Sequence, residues 1–117
     1  MEKEERENYQ KVLLKLLGTR PVAFNPDLAR AIGSAKAGLF MSQLLFWAEK
    51  GKNPEWIYKT SREFEEETSL TKKEQLSAQK LCVEKKLIEV KVKGVPPMRH
   101  FKINKKNIEK LLLDFYK

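Results

Sequence analysis

The stretch from Leu70 to Asn104, LTKKEQLSAQKLCVEKKLIEVKVKGVPPMRHFKIN, decides how this chain folds. Thr71 followed by Glu74 has the form of a capping box, in which each side chain takes the other residue's backbone N–H and so starts a helix. Helix-compatible residues then continue to Lys86, so the spacing predicts a helix over 72–86. From Leu87 the period changes. Ile88, Val90 and Val92 alternate with Glu89, Lys91 and Lys93, the pattern of a strand with one buried face. Gly94 to Met98, which contains Pro96 and Pro97, makes a turn, and Arg99 to Ile103 returns as a second strand with Phe101 and Ile103 inward.

Working outward, Thr60 with Glu63 is a second capping box, opening a short helix to Glu67 that Ser69–Leu70 separates from the long one. Trp56 to Lys59 is a short strand placed to pair with the hairpin. Helix, tight turn, basic helix and β-hairpin in that order is the layout of a winged helix-turn-helix, a DNA-reading module. Glu4 to Leu17 reads as an amphipathic helix with Tyr9, Val12, Leu13, Leu16 and Leu17 on one stripe, stopped by Gly18. Pro21 to Phe24 is extended. Asn25 is an expected N-cap for a short helix begun by Pro26 and Asp27 and ended near Gly33. Ser34 caps the next helix, which runs to about Lys50 and is apolar on almost every side. Such a helix is the central core element, or one of its sides forms a subunit interface. Gly51 to Glu55 is a loop. Lys105 to Phe115 is a last helix striped by Ile108, Leu111, Leu112 and Phe115. The expected fold is therefore mainly α with a small β-hairpin wing. One domain spans 1–117: an N-terminal helix at 4–17, the helix-turn-helix and wing at 60–104, and a C-terminal helix at 105–117.

At 41% apolar and 34% charged, the 117 residues suit one globular domain rather than a disordered chain. The charged start, Met1 to Asn8, predicts no signal peptide, and the apolar run at Ala37–Ala48 is too short to span a bilayer, so a cytoplasmic location is expected. The single cysteine, Cys82, has no partner for a disulfide and no Cys/His company for zinc, which leaves it as core filler. The formal charge is +8 and lies entirely after residue 70: residues 71–93 carry seven lysines against three glutamates, and residues 94–117 six basic against two acidic side chains. A surface of that kind attracts polyanions by neutralising phosphates and releasing their counterions. A lysine-rich surface also serves solubility, so the charge acquires meaning only from the layout that carries it.

On a helical wheel of 72–86, Ala78, Leu81 and Cys82 face one way and Lys72, Lys73, Leu76, Gln79 and Lys80 the other. The second group is expected to meet solvent or a major groove, where lysines contact phosphate or guanine and glutamine pairs with adenine through both amide atoms. Leu76 and Val83 fit this wheel poorly; either the core face is rotated or Leu76 meets a thymine methyl. The expected DNA-binding set is Arg62, Thr71, Lys72, Lys73, Gln75, Gln79, Lys80, Lys93, Arg99 and Lys102, with Thr71 fixing the helix start and Arg99 and Lys102 steadying the backbone from the wing. Charge on Lys91 and Lys93 equally suits protection of an edge strand. His100 reads as an ordinary strand side chain, and the run Glu63, Glu65, Glu66, Glu67 as a solvated helix face. No phosphate-binding glycine loop, HExxH, GxSxG or nucleophile beside the lone histidine occurs, so no enzyme, metal or cofactor is expected.

With those residues placed, FNPDLARAIG, AGLFMSQLLFWAEK, WIYKTSREFEEETSLTKKEQ, LIEVKVKGVPP and FKIN resemble the winged-helix domain of replication proteins from phages, prophages and mobile elements, related in architecture to DnaD-type primosomal proteins. The resemblance covers roughly residues 21–104. It implies double-stranded DNA binding in replication initiation, with replication proteins as partners. Lys86 departs from it, standing where the family often has a glycine that ends the recognition helix. The long C-terminal portion of full-length initiators is not matched, so their helicase-loader contacts are not carried over. A homodimer is expected, with Val12, Leu13 and Leu16, or Leu111, Leu112 and Phe115, at the seam. A transcriptional regulator on the same fold and an oligomerisation scaffold with weak DNA contact are the alternatives.

Overall fold

A computed structural model describes residues 2–50 and 55–117. The loop expected at Gly51 to Glu55 falls outside the described residues except for Glu55. In order, the chain forms α1 (Lys3–Leu17), α2 (Pro26–Ile32), α3 (Ala35–Lys50), β1 (Ile57–Tyr58), α4 (Ser61–Thr68), α5 (Lys72–Glu84), β2 (Ile88–Lys93), β3 (Met98–Ile103) and α6 (Lys105–Tyr116). The described residues are mainly helical, with a three-stranded antiparallel sheet in the order β1-β3-β2.

α3 is the spine. Its middle, from Ala37 and Gly38 through Phe40 to Leu44, is buried against α2, α5 and the sheet, as an all-round apolar helix requires. Gly38 is needed there because α2 crosses so closely: a Cβ on it would lie 2.3 Å from Ala29 Cβ and 2.6 Å from Ala29 Cα. The two polar residues that interrupt the apolar run are buried with partners. Ser42 Oγ donates to Gly38 O and accepts from Asn25 N and Nδ2 at 3.1 and 3.2 Å. Asn25 is the N-cap residue of α2, its carbonyl accepting from Ala29 N at 3.1 Å, but its side chain is turned to α3, and Pro26 and Asp27 open the helix.

Three phenylalanines join the layers. Phe40 of α3 stacks on Phe64 of α4 with ring centroids 5.0 Å apart, and Phe101 of β3 meets both edge-on at 5.8 and 5.9 Å. All three are fully buried, together with Met41, Leu44, Leu87 and Cys82. Burying each such side chain contributes on the order of 1.5–3 kcal/mol, so this cluster fixes where the sheet and α4 sit on α3. The Cys82 thiol, pushed up to about 12 by burial, is core filler as its sequence context predicts.

Both capping boxes form, at Thr60 with Glu63 and Thr71 with Glu74. Ser69, at φ 69°, turns the chain between α4 and α5, and Leu70 is buried in the turn. α5 ends at Glu84, two residues before the expected Lys86. Lys86 itself adopts φ 60°, the left-handed conformation that ends helices and that glycine enters without steric cost.

In the sheet, Ile57 and Val90 flank Phe101, and Ile88 pairs with Ile103. Val92, expected inward, is 65% exposed. Val92 lies on the edge strand β2 opposite Arg99, and at this register it is Arg99 of the inner strand β3, not Val92, that reaches the helices.

Candidate nucleic-acid interface

α5 presents two contrasting faces. Gln75, Ala78 and Cys82 are buried against α3 and α4, while Lys72, Lys73, Leu76, Ser77 and Lys80 line a shallow concavity of about 520 Å³ open to solvent. The three lysines make no ion pair among the described residues, so their charge is available to an incoming anion. Leu76 is 46% exposed at the middle of this face, which resolves the wheel in favour of an uncovered leucine rather than a rotated core side.

The first turn of α5 is held from two directions. Thr71 Oγ1 accepts from Glu74 N at 3.2 Å, Glu74 Oε1 accepts from Thr71 N at 3.0 Å, and Glu74 Oε2 takes Lys36 Nζ of α3 at 2.7 Å. The lysine ammonium and the Thr71 hydrogen bonds hold the Glu74 carboxyl down at about 2. The only acid in the first turn is therefore spent on internal bonds, and the exposed start of the helix is left basic.

Two members of the expected set are corrected. Gln75 is fully buried: its Nε2 donates to Ser61 O and Leu70 O, both at 2.9 Å, and its Oε1 accepts from Arg99. It braces the turn between α4 and α5 and has no atom left for a base. Arg99 does not project from the hairpin. Its guanidinium folds against the helices, donating through Nη1 to Gln79 Oε1 at 2.6 Å and through Nη2 to Gln75 Oε1 at 2.8 Å and Ser61 Oγ at 3.0 Å. Burial lowers its pKa, and all three acceptors are neutral oxygens. Only one residue position separates the inward and outward faces of a strand, and Arg99 shares the inward parity of Phe101.

The remaining members are dispersed. Lys102 has the opposite parity, lies on the outer face of the sheet and pairs with Glu55 at 3.2 Å. Lys93 is exposed at the hairpin end of β2. Lys91, outside that set, sits over the Trp56 ring at 4.4 Å on the edge strand β2. Arg62 is exposed on α4 beside Glu66 at 3.2 Å.

The acidic run on α4 is not uniformly solvated. The Glu67 carboxylate accepts from Gln43 Nε2 at 2.5 Å, Trp47 Nε1 at 2.7 Å and Lys59 Nζ at 2.7 Å. Lys59 is only 7% exposed and lies 3.6 Å from the Trp47 ring centroid. Burial works against the ionised acid, but these bonds and the ammonium charge outweigh it and leave the Glu67 pKa below its usual value. This knot ties α4 to α3. Its sequence signal was weak, because Glu67 looks like its solvated neighbours Glu65 and Glu66.

One basic feature was not foreseen. Lys86, Lys105, Lys106 and the Glu55-paired Lys102 line, together with Glu89, an open groove of about 910 Å³ that also takes in Val83, Ile88, Val90 and Ile103, beside the N-terminus of α6. Each of these lysines is visible in the sequence, but only the fold brings Lys86 to the groove that Lys105 and Lys106 line. Among the described residues no group of His, Cys, Asp and Glu gathers as a metal site needs, and no helix is long and apolar enough to cross a membrane. Comparison with protein-family models, with curated proteins and with solved structures found no match.

Proposed function

We propose that this chain is a winged helix-turn-helix module that binds double-stranded DNA without catalysis, with α5 over the major groove and the β2–β3 hairpin as the wing. The observation that carries this reading is the exposed face of α5, where Lys72, Lys73 and Lys80 surround Leu76 and Ser77 with no acid paired to any of them. Lysines neutralise phosphate, and an uncovered leucine can meet a thymine methyl. Lys93 at the hairpin end and Arg62 on α4 are the remaining exposed contributors. The resemblance noted above makes replication of a mobile element the biological setting we favour over transcriptional regulation.

Fluorescence-anisotropy titration of the chain with generic duplex tests this. Binding is expected to be micromolar or tighter at low salt and to weaken at least tenfold between about 50 and 200 mM salt, as several phosphate contacts require. Lys73→Ala with Lys80→Ala should weaken binding more than the control pair Lys3→Ala with Lys11→Ala, at unchanged melting temperature. No binding at the lowest salt overturns the DNA reading.

A second reading has its own observation. Tyr9, Val12, Leu13, Leu16 and Leu17 of α1 are each 54–70% exposed, an uncovered apolar stripe on a helix that touches no core. Self-association through α1 would bury it. Glu5 continues the same line toward the N-terminus, so two copies are expected antiparallel, with apolar halves overlapped and acidic ends apart. Such a dimer is compatible with DNA reading. It becomes the scaffold alternative only if duplex affinity is absent.

A further inference from the structure

Gln79 lies at the rim of the exposed face of α5, and an amide there would ordinarily be ambidextrous: an oxygen that accepts and an NH₂ that donates. Arg99 removes that freedom. A guanidinium has donors only, so the amide atom 2.6 Å from Nη1 must be the oxygen Oε1, and the NH₂ group is turned away from Arg99. The guanidinium is itself pinned, since Nη2 is held by Ser61 Oγ and by Gln75 Oε1, and the Gln75 amide is fixed in turn by Ser61 O and Leu70 O. Among the described residues nothing accepts a hydrogen bond from Gln79 Nε2.

We infer that Arg99 is a positioning residue that sets the base preference of Gln79, turning it from an adenine reader into a donor that favours the acceptor edge of guanine. The inference rests on the DNA reading proposed above. Adenine offers one acceptor and one donor in the major groove, and glutamine matches it only by accepting with Oε1 while donating with Nε2. Here Oε1 already holds a cationic donor, and the N6 amino group of adenine would bring a second positive hydrogen beside the same guanidinium. Guanine offers N7 and O6, both acceptors, to the free Nε2 donors. The chain of bonds from α4 through Gln75 and Arg99 to Gln79 therefore acts on specificity from beneath the reading face.

Two measurements test this. The first uses the free protein. By NMR, the Gln79 side-chain NH₂ is expected to be ordered in the wild type and mobile in Arg99→Met; equal mobility in both overturns the inference whatever happens on DNA. The second is selection from a random duplex library. Wild type and Arg99→Lys, which keeps a donor on Oε1, are expected to select guanine at one position whose preference vanishes in Gln79→Ala. Arg99→Met should shift that position toward adenine by a factor on the order of five. A wild-type preference for adenine there, or an unchanged preference in a folded Arg99→Met, overturns the inference while leaving DNA binding intact. Uniform weakening on all sequences would make Arg99 a phosphate contact and also overturn it. Failure of the wild type to bind any duplex is the separate failure of the DNA reading itself.

Discussion

α1 and α6 carry almost the same message in sequence and meet opposite fates in the fold. Each is an amphipathic helix outside the central elements, with apolar residues three and four apart. α6 lies against α2: Ile108 is buried, Leu111 and Leu112 pack on the core, and Tyr116 Oη donates to Asp27 Oδ2 at 2.6 Å. α1 buries no residue. With that helix held away from the rest, the radius of gyration is 17.3 Å, against about 13 Å for a compact chain of this length. Their ends differ too. Asn104 Oδ1 caps α6 by accepting from Asn107 N, and Asn107 Nδ2 ties the first turn to Lys86 O, whereas α1 starts at Glu2 with no side-chain cap. Periodicity states that a face wants burial; it does not state against what.

The sharpest way to break this contrast is one truncation in each helix. Ile108→Ala should cost about 2–5 kcal/mol of stability, read as a shift in the urea midpoint, because the surrounding core only partly collapses into the space. Leu13→Ala, on a helix with no packed neighbour, should leave the midpoint of the dilute protein within about 0.5 kcal/mol of wild type. A large loss at Leu13 in dilute solution would mean that α1 packs on its own domain after all.

Concentration dependence probes α1 from the other side. An isolated helix of 15 residues is marginal in water, so a covered stripe is worth more than an open one. Sedimentation equilibrium is expected to give a dimer that Leu13→Glu with Leu16→Glu weakens at least tenfold, about 1.4 kcal/mol, while Leu111→Glu acts by unfolding the domain instead. A monomer of 13.7 kDa at every concentration excludes the α1 seam.

What the sequence made legible follows from how local each signal is. Both capping boxes, the hairpin, Gly33 as a helix stop and the buried spine at Phe40–Leu44 depend on neighbours a few residues away, and all formed. The exposed positions of α5 were legible where exposure follows from the wheel, as at Lys72, Lys73 and Lys80. They were not where a partner comes from far along the chain. Gln75 and Arg99 have ordinary surface chemistry, and only the 24-residue loop closure that joins them turns a reader and a wing cation into an internal brace. Of the alternative seam Leu111, Leu112 and Phe115, the two leucines are partly buried against the core cluster while Phe115 stays exposed, a division that the stripe alone does not tell.

A smaller effect tests how α6 is moored. Lys86 sits at φ 60° and offers its carbonyl to Asn107. Lys86→Gly should stabilise the protein by up to about 1 kcal/mol if relief of the left-handed strain exceeds the entropy gained by the unfolded chain. Asn104→Ala should cost about 1 kcal/mol by uncapping the same turn. Neither change should alter the hydrogen exchange of α1, since nothing connects the two helices; parallel changes in both would break the comparison.

The smallest expected effect is alkaline. Tyr116 is an acid whose neutral form donates to the Asp27 carboxylate, and that hydrogen bond, with the carboxylate charge, raises its pKa above the ordinary 10.0. The sign follows from linkage: a group with its folded pKa raised contributes stability that is fully present below the unfolded pKa and disappears as pH climbs through the folded one. The phenolate cannot donate and would face Asp27 as a like charge, so the C-terminal turn of α6 should loosen from α2 above about pH 10. Chemical denaturation of wild type and Tyr116→Phe, from neutral to alkaline pH, isolates this step. The wild type is expected to be slightly the more stable near neutrality and to lose that margin as pH rises past 10, while the two curves converge. No margin near neutrality would place the contribution of Tyr116 in its ring, which phenylalanine keeps, rather than in its bond to Asp27.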